Sequence, residues 1–325
     1  MNKAGFHGGV RDLVARTQGS VRVRDLMSVA VAAVACLFAL MTPRAWAAQE
    51  VVLVPGHAGE ARYGVEIDAA VGKWKEGAQK GGAVMRMVGT REDGGAQIER
   101  LRKTLEEVVV QSGDPLWLVL LGHGSAQGNV PRFQLEGADV SAEELSKMLG
   151  RLRRPVIVVA GFSSSGAFLK PLSAPGRVVV TATRSGGEEN WSRFGRFFAE
   201  AVCGLEGDAD EDGQVSVWEA WQHAKEAVEA FYKGEGRICT EHALLDDTGG
   251  GKAGGAGNGL KARQWHLLES AAEAALSAEE RNRRELLEAG LERLRETKAK
   301  ADPAEYAKAL EQLLLELAKV YEAAR

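Results

Sequence analysis

Two short clusters carry residue types that could do chemistry. His123 sits between glycines in Gly122-His123-Gly124-Ser125, and Ser163 opens the run Ser163-Ser164-Ser165-Gly166. Each follows an apolar run, LWLVLL before His123 and VIVVA before Ser163. A hydroxyl beside an imidazole is the minimum for acyl transfer. Glycines flanking the imidazole leave backbone amides, that of Gly124 foremost, free to approach an oxyanion. The same residues suit a structural role, with a hydrogen-bonded His123 and serines capping a helix. Gly161-Phe162-Ser163-Ser164-Ser165 approaches the G-x-S-x-G elbow, but Ser165 stands where its last glycine belongs. Spacing places no Asp or Glu as a third triad member.

The second cluster is acidic. Residues 208–219 read DADEDGQVSVWE. Asp208, Asp210 and Asp212 hold positions 1, 3 and 5, Gly213 the sharp turn at 6, and Gln214 offers a backbone carbonyl at 7. Ser216 is position 9 and Glu219 the bidentate acid at 12. That is the full EF-hand calcium-loop pattern, in which alternate carboxylates wrap an ion that demands six to eight hard oxygens. The expected cofactor is Ca²⁺. Helical stripes flank the loop: Trp191, Phe194, Phe198 and Ala201 before it, and Val217, Trp221, Ala224, Val228 and Phe231 after it. No second EF-hand pairs with it, so a structural ion is expected rather than a sensor. Asp246-Asp247-Thr248-Gly249 is an incomplete acidic turn and is assigned no metal.

The elements that must position these residues follow from hydrophobic periodicity. Five apolar runs read as strands: Val51–Pro55, Ala83–Val88, Leu116–Leu121, Val156–Ala160 and Val178–Ala182. Near-continuous Val, Ile and Leu suit parallel strands buried on both faces. Helical patterns alternate with them, at 64–80, on the stripe Ile98, Leu101, Leu105 and Val108, and after the capping box of Ser141 and Glu144. The expected class is an α/β sandwich with a mainly parallel sheet, whose chemistry sits at the carboxyl ends of its strands. Residues 248–259 hold seven glycines in twelve positions and read as a flexible linker. Beyond them, Ser277 with Glu280, and Asp302, Pro303 and Glu305, start two helices of a hairpin.

The chain has 325 residues, 45% hydrophobic and 26% charged, with a net charge of -4. This is the composition of a folded protein and lacks the basic excess of a nucleic-acid binder. The amino terminus runs from a basic stretch through the apolar segment Met27–Met41 to Ala45-Trp46-Ala47, the order of a secretory signal peptide. Cleavage after Ala47 is expected, giving an exported protein; a membrane contact follows only if this segment is retained. Residues 1–47 carry six Lys+Arg and two Asp+Glu, so the mature chain is more acidic, at −8. Export permits a Cys203–Cys239 disulfide, worth ~3–4 kcal/mol in the chain-entropy account. Two separate thiols are the equal alternative.

The stretch from LWLVLLGHGS through VIVVAGFSSSGAF to RVVVTATRSGGEEN resembles the caspase-like fold of legumain-type cysteine peptidases. The family's catalytic His is matched by His123, and counting back from Ser165-Gly166 places its nucleophile at Ser163. Its acidic substrate-pocket loop, after a Thr-Ala-rich strand, is matched by Thr181-Ala182-Thr183 and Glu188. The resemblance implies a caspase-like domain over 48–247 that includes loop 208–219, with the hairpin at 260–325. Nearly the whole chain, with Thr240–Asp247, also looks like a set of exported bacterial caspase-like proteins.

One departure decides what the resemblance implies for activity. The nucleophile position holds a hydroxyl, which yields no useful anion near neutrality without a well-aligned base, whereas a thiol beside a His does. Two readings follow. In one, the protein is a calcium-stabilised pseudo-peptidase that binds a peptide or protein in the former substrate cleft. In the other, Ser163 and His123 form an active serine hydrolase or peptidase. Arg184 is a candidate salt-bridge partner for Glu188 and Glu189, which would give these acids a structural role.

Overall fold

The computed structural model describes residues 49–89, 97–108, 115–254, 259–298 and 301–323. The expected signal segment lies outside them. The described residues all fall in one compact unit. Among the described residues no helix is long and apolar enough to cross a membrane.

The long strands are β1 (Glu50–Pro55), β2 (Val84–Met87), β3 (Leu116–Gly122), β7 (Val156–Phe162) and β8 (Arg177–Thr181). Three two-residue strands lie between β3 and β7: β4 (Gly124–Ser125), β5 (Arg132–Phe133) and β6 (Val140–Ser141). The last is β9 (Leu244–Asp246). The main sheet has the order β2-β1-β3-β7-β8-β9. Its first five strands are parallel, and β9 closes the edge antiparallel to β8. All five expected strands are present. Strands β3 and β7 are buried along their whole length, which explains their unbroken apolar runs.

Alternate side chains feed two apolar layers. Val51, Leu53, Trp117 and Val119 pack on one face against α1 (Ala61–Lys80), α5 (Phe194–Val202) and α6 (Val217–Gly234), with Trp74, Phe198 and Val228 between them. Val52, Val54, Leu118 and Leu120 face α2 (Gln97–Glu107), α3 (Ala142–Leu149) and the short α4 (Leu169–Leu172). Each large apolar side chain so buried contributes roughly 1.5–3 kcal/mol. The sandwich is therefore mixed α/β with a mainly parallel sheet, as the periodicity implies. The Ser141–Glu144 capping box forms and starts α3.

Helices α7 (Ala271–Ala275), α8 (Ala278–Thr297) and α9 (Pro303–Ala323) complete the chain. Ser277 and Glu280 form the capping box of α8, and the Asp302 carboxylate accepts the amides of Ala304 and Glu305 at the start of α9. The glycine-rich stretch differs from a free linker where it is described. Asp246 accepts the amides of Thr248 and Gly251, and Asp247 those of Gly259, Lys261 and Ala262. Two buried carboxylates thus fix the backbone that composition alone marks as flexible. The acidic turn at 246–247 spends its charge on these amides.

Cys203 and Cys239 are separate thiols. Burial pushes the Cys203 thiol up to about 12, and the Cys239 thiol donates to the Glu241 carbonyl at 3.1 Å.

Candidate functional site

The sheet brings the ends of β1, β3 and β7 together. Gly56 donates its amide to the Leu121 carbonyl at 2.8 Å, and a Cβ on Gly124 would lie 2.5 Å from the Ser163 carbonyl oxygen. Only glycine fits there, so the two expected chemical residues sit on touching segments. Their polar atoms nevertheless turn elsewhere. The His123 Nε2–H donates to the Ala58 carbonyl at 3.2 Å. Ser163 is 1% exposed, its hydroxyl donating to the Gly124 carbonyl at 3.3 Å and accepting the Gly124 amide at 3.2 Å. No hydrogen bond joins Ser163 to His123. The amide expected to stabilise an oxyanion is occupied by Ser163 itself.

His123 is covered by two aromatic rings, Tyr63 at 5.3 Å and Trp191 at 4.9 Å, which stack on each other at 4.4 Å. The Trp191 indole donates to Glu66 on α1 at 2.8 Å, fixing this cover. Burial is the main cause holding the imidazole below its usual value of 6.5, while the Ala58 carbonyl pulls the other way. The ring is therefore neutral at pH 7.

The three serines do different work. Ser164 is left-handed, with φ of 59°, and its buried hydroxyl has no partner. Its amide donates to the Glu188 carbonyl at 2.8 Å. Ser165 accepts the amides of Ala182 and Thr183 and ties the turn to the end of β8.

Glu188, the expected pocket acid, is saturated. Its carboxylate accepts the amides of Arg184 and His242, pairs with the Arg184 guanidinium at 3.0 Å and meets His242 Nδ1 at 2.6 Å. The Arg184 partnership read from the sequence is present, and His242 is an addition that spacing does not suggest. Its neighbour Glu241 accepts the amides of Arg193 and Phe194 and the Ser192 hydroxyl, capping α5 from 47 residues away. Trp191 therefore lies outside the helix whose stripe it was expected to share.

The acidic loop is built differently. Gly213 takes φ of +85°, the turn its position demands. Asp208, Asp210 and Asp212 each present an oxygen within 4.8 Å of the others. Asp208 accepts the amides of Asp212 and Gly213, and Asp212 those of the Gln214 backbone and side chain. Ser216 and Glu219 form the capping box of α6, and the second Glu219 oxygen accepts the Ala209 amide. Burial, then the neighbouring carboxylates of Glu219, Asp212 and Asp208, push Asp210 above the usual carboxylate range. Asp212 is raised mainly by burial, against its bonds from Gln214. Hard oxygens crowded together, whose described bonds are to amides and a hydroxyl, are the donor set a calcium ion requires, so the residues fit the ion.

No family model and no curated protein match this chain. Solved structures do show similarity. The Drosophila initiator caspase Dronc is 14% identical with a TM-score of 0.40, over 63% of this chain and 81% of its own. Caspase-1 from Spodoptera frugiperda is 9% identical with a TM-score of 0.39, over 61% and 86%. Raptor from Chaetomium thermophilum is 10% identical with a TM-score of 0.34, over 48% of this chain and 17% of its own.

Proposed function

We propose that this chain is an exported, calcium-stabilised pseudo-peptidase of caspase-like type, which binds a peptide or protein at the carboxyl edge of its sheet without cleaving it. The observation that carries the reading is the state of Ser163. Its hydroxyl is buried and committed to both polar atoms of Gly124, while His123 is committed to Ala58. A serine nucleophile needs its proton taken by an aligned base, and here the base donates its Nε2 proton elsewhere. Glu188 supports the reading, since its carboxylate is already filled by Arg184 and His242.

In this proposal Asp208, Asp210, Asp212, the Gln214 carbonyl, Ser216 and Glu219 hold one calcium ion. The ion would neutralise the crowded carboxylates, and the chain's own residues supply the turn at Gly213 and the helix cap at Ser216.

A random peptide library incubated with the full chain, with and without calcium, tests the proposal by mass spectrometry. Intact peptides, some retained on the protein, are expected. Cleavage that disappears in both Ser163→Ala and His123→Ala overturns it.

A further inference from the structure

The acidic loop is connected to the C-terminal helices through two of its own residues, Gln214 and Ser216. The Gln214 side chain, 2% exposed, bridges the loop and the next element: its Nε2 donates to Asp212 at 3.0 Å, and its Oε1 accepts the Ser270 amide at 3.2 Å. Ser270 is the N-cap of α7 and accepts the Glu273 amide. Glu273 is buried and pairs with Arg284 and Arg281 of α8, and Arg284 reaches on to Glu288 at 3.6 Å. A second connection runs beside the first. Ser216 forms an antiparallel bridge with His266, and the amides of Val217 and Trp218 donate to the carbonyls of Trp265 and Ala262 at 2.9 and 3.0 Å. The loop's position 9 thus pairs with a strand-like segment of this same chain.

Between loop and hairpin lies a cavity of about 240 Å³. Asp210, Asp212 and Glu219 line it together with Leu291 and Leu314 of the hairpin, and Arg263 and Arg295 line it too. Without a cation the carboxylates repel one another at close range, and any spreading of the loop displaces Gln214 and Ser216. Both help to hold the root of the hairpin, beside Gln49, whose side chain donates to the His266 carbonyl at 2.9 Å.

We propose that cation occupancy of loop 208–219 controls docking of the C-terminal hairpin onto the sandwich, through the Gln214–Ser270 and Ser216–His266 connections. The inference rests on the calcium reading above and adds a regulated element to it. Coupling is reciprocal: if calcium favours the docked hairpin, the docked hairpin raises calcium affinity by the same factor.

Hydrogen exchange on the full chain, read at the amides of α7 and the first two turns of α8, tests it beside a calcorimetric titration with CaCl₂. Calcium is expected to slow exchange there by ~10-fold, within the usual range for coupled sites. Two variants localise the effect. Ser270→Ala keeps the amide that Gln214 accepts and is expected to keep the calcium dependence. Ser270→Pro deletes that amide at a residue whose φ of −65° proline accepts, and is expected to lose most of it. The titration should then show one ion bound ~5-fold more weakly, the worth of about one hydrogen bond. Stoichiometric calcium binding with unchanged exchange in the hairpin overturns the inference and leaves the calcium site standing. Absence of binding at millimolar calcium overturns both.

Discussion

The strand-end cluster and the acidic loop differ in how their polar groups are satisfied. At the strand ends, His123, Ser163 and Glu188 each find partners within the fold, chiefly backbone groups and, for Glu188, two basic side chains. In the loop, the described bonds of Asp208, Asp212 and Glu219 are to amides and a hydroxyl, and Asp210 is left with a raised affinity for protons. Satisfied groups have no reason to react, whereas crowded carboxylates gain from a cation. The comparison teaches that residue types brought together by a fold are chemically available only where the fold has not already used them.

The largest expected effect is at the loop. Calcium at 100 times its dissociation constant should stabilise the protein by about 2.7 kcal/mol, raising Tm by roughly 5–10 °C. Asp210→Asn should abolish that rise while slightly increasing Tm in EDTA, because it removes a repelling charge. A calcium response that survives Asp210→Asn would break the comparison on this side. Next is Glu188→Gln, which should cost about 2 kcal/mol by urea denaturation, since a half-buried charged acceptor of two amides is weakened. A neutral outcome would mean the carboxylate is held available for a ligand.

A smaller effect comes from Ser163→Ala, which removes the two long hydrogen bonds that the hydroxyl makes to the Gly124 amide and carbonyl. It should cost about 1 kcal/mol and leave peptide retention unchanged. The smallest is a pH effect at His123. Its folded pKa lies below 6.5, so the unfolded chain binds the proton more readily and stability declines as pH falls through and below that value. An NMR titration of the imidazole should give a midpoint under 6.5. A midpoint above 7 would indicate an anionic partner that the strand-end geometry lacks.

The sequence made the main sheet readable because β1, β3, β7 and β8 are buried on both faces, and such strands leave apolar runs. Strand β9 and the small β4-β5-β6 sheet leave no run, being only two or three residues long and paired across the chain. The loop was readable because its ligands lie within twelve residues. The strand-end site was readable only as a juxtaposition. Which acceptor His123 chooses depends on Ala58, Tyr63 and Trp191, which come from other elements. Composition likewise marks 248–259 as a linker, but it says nothing of Asp246 and Asp247 capturing its amides.

The most direct test of the central claim is covalent labelling of Ser163. The full chain is treated with a fluorophosphonate, in calcium and in EDTA, and its intact mass is measured. An unmodified mass is expected in both, because the hydroxyl is buried and bonded to Gly124, and His123 is bonded to Ala58. A single adduct mapped to Ser163, lost in His123→Ala, would contradict it.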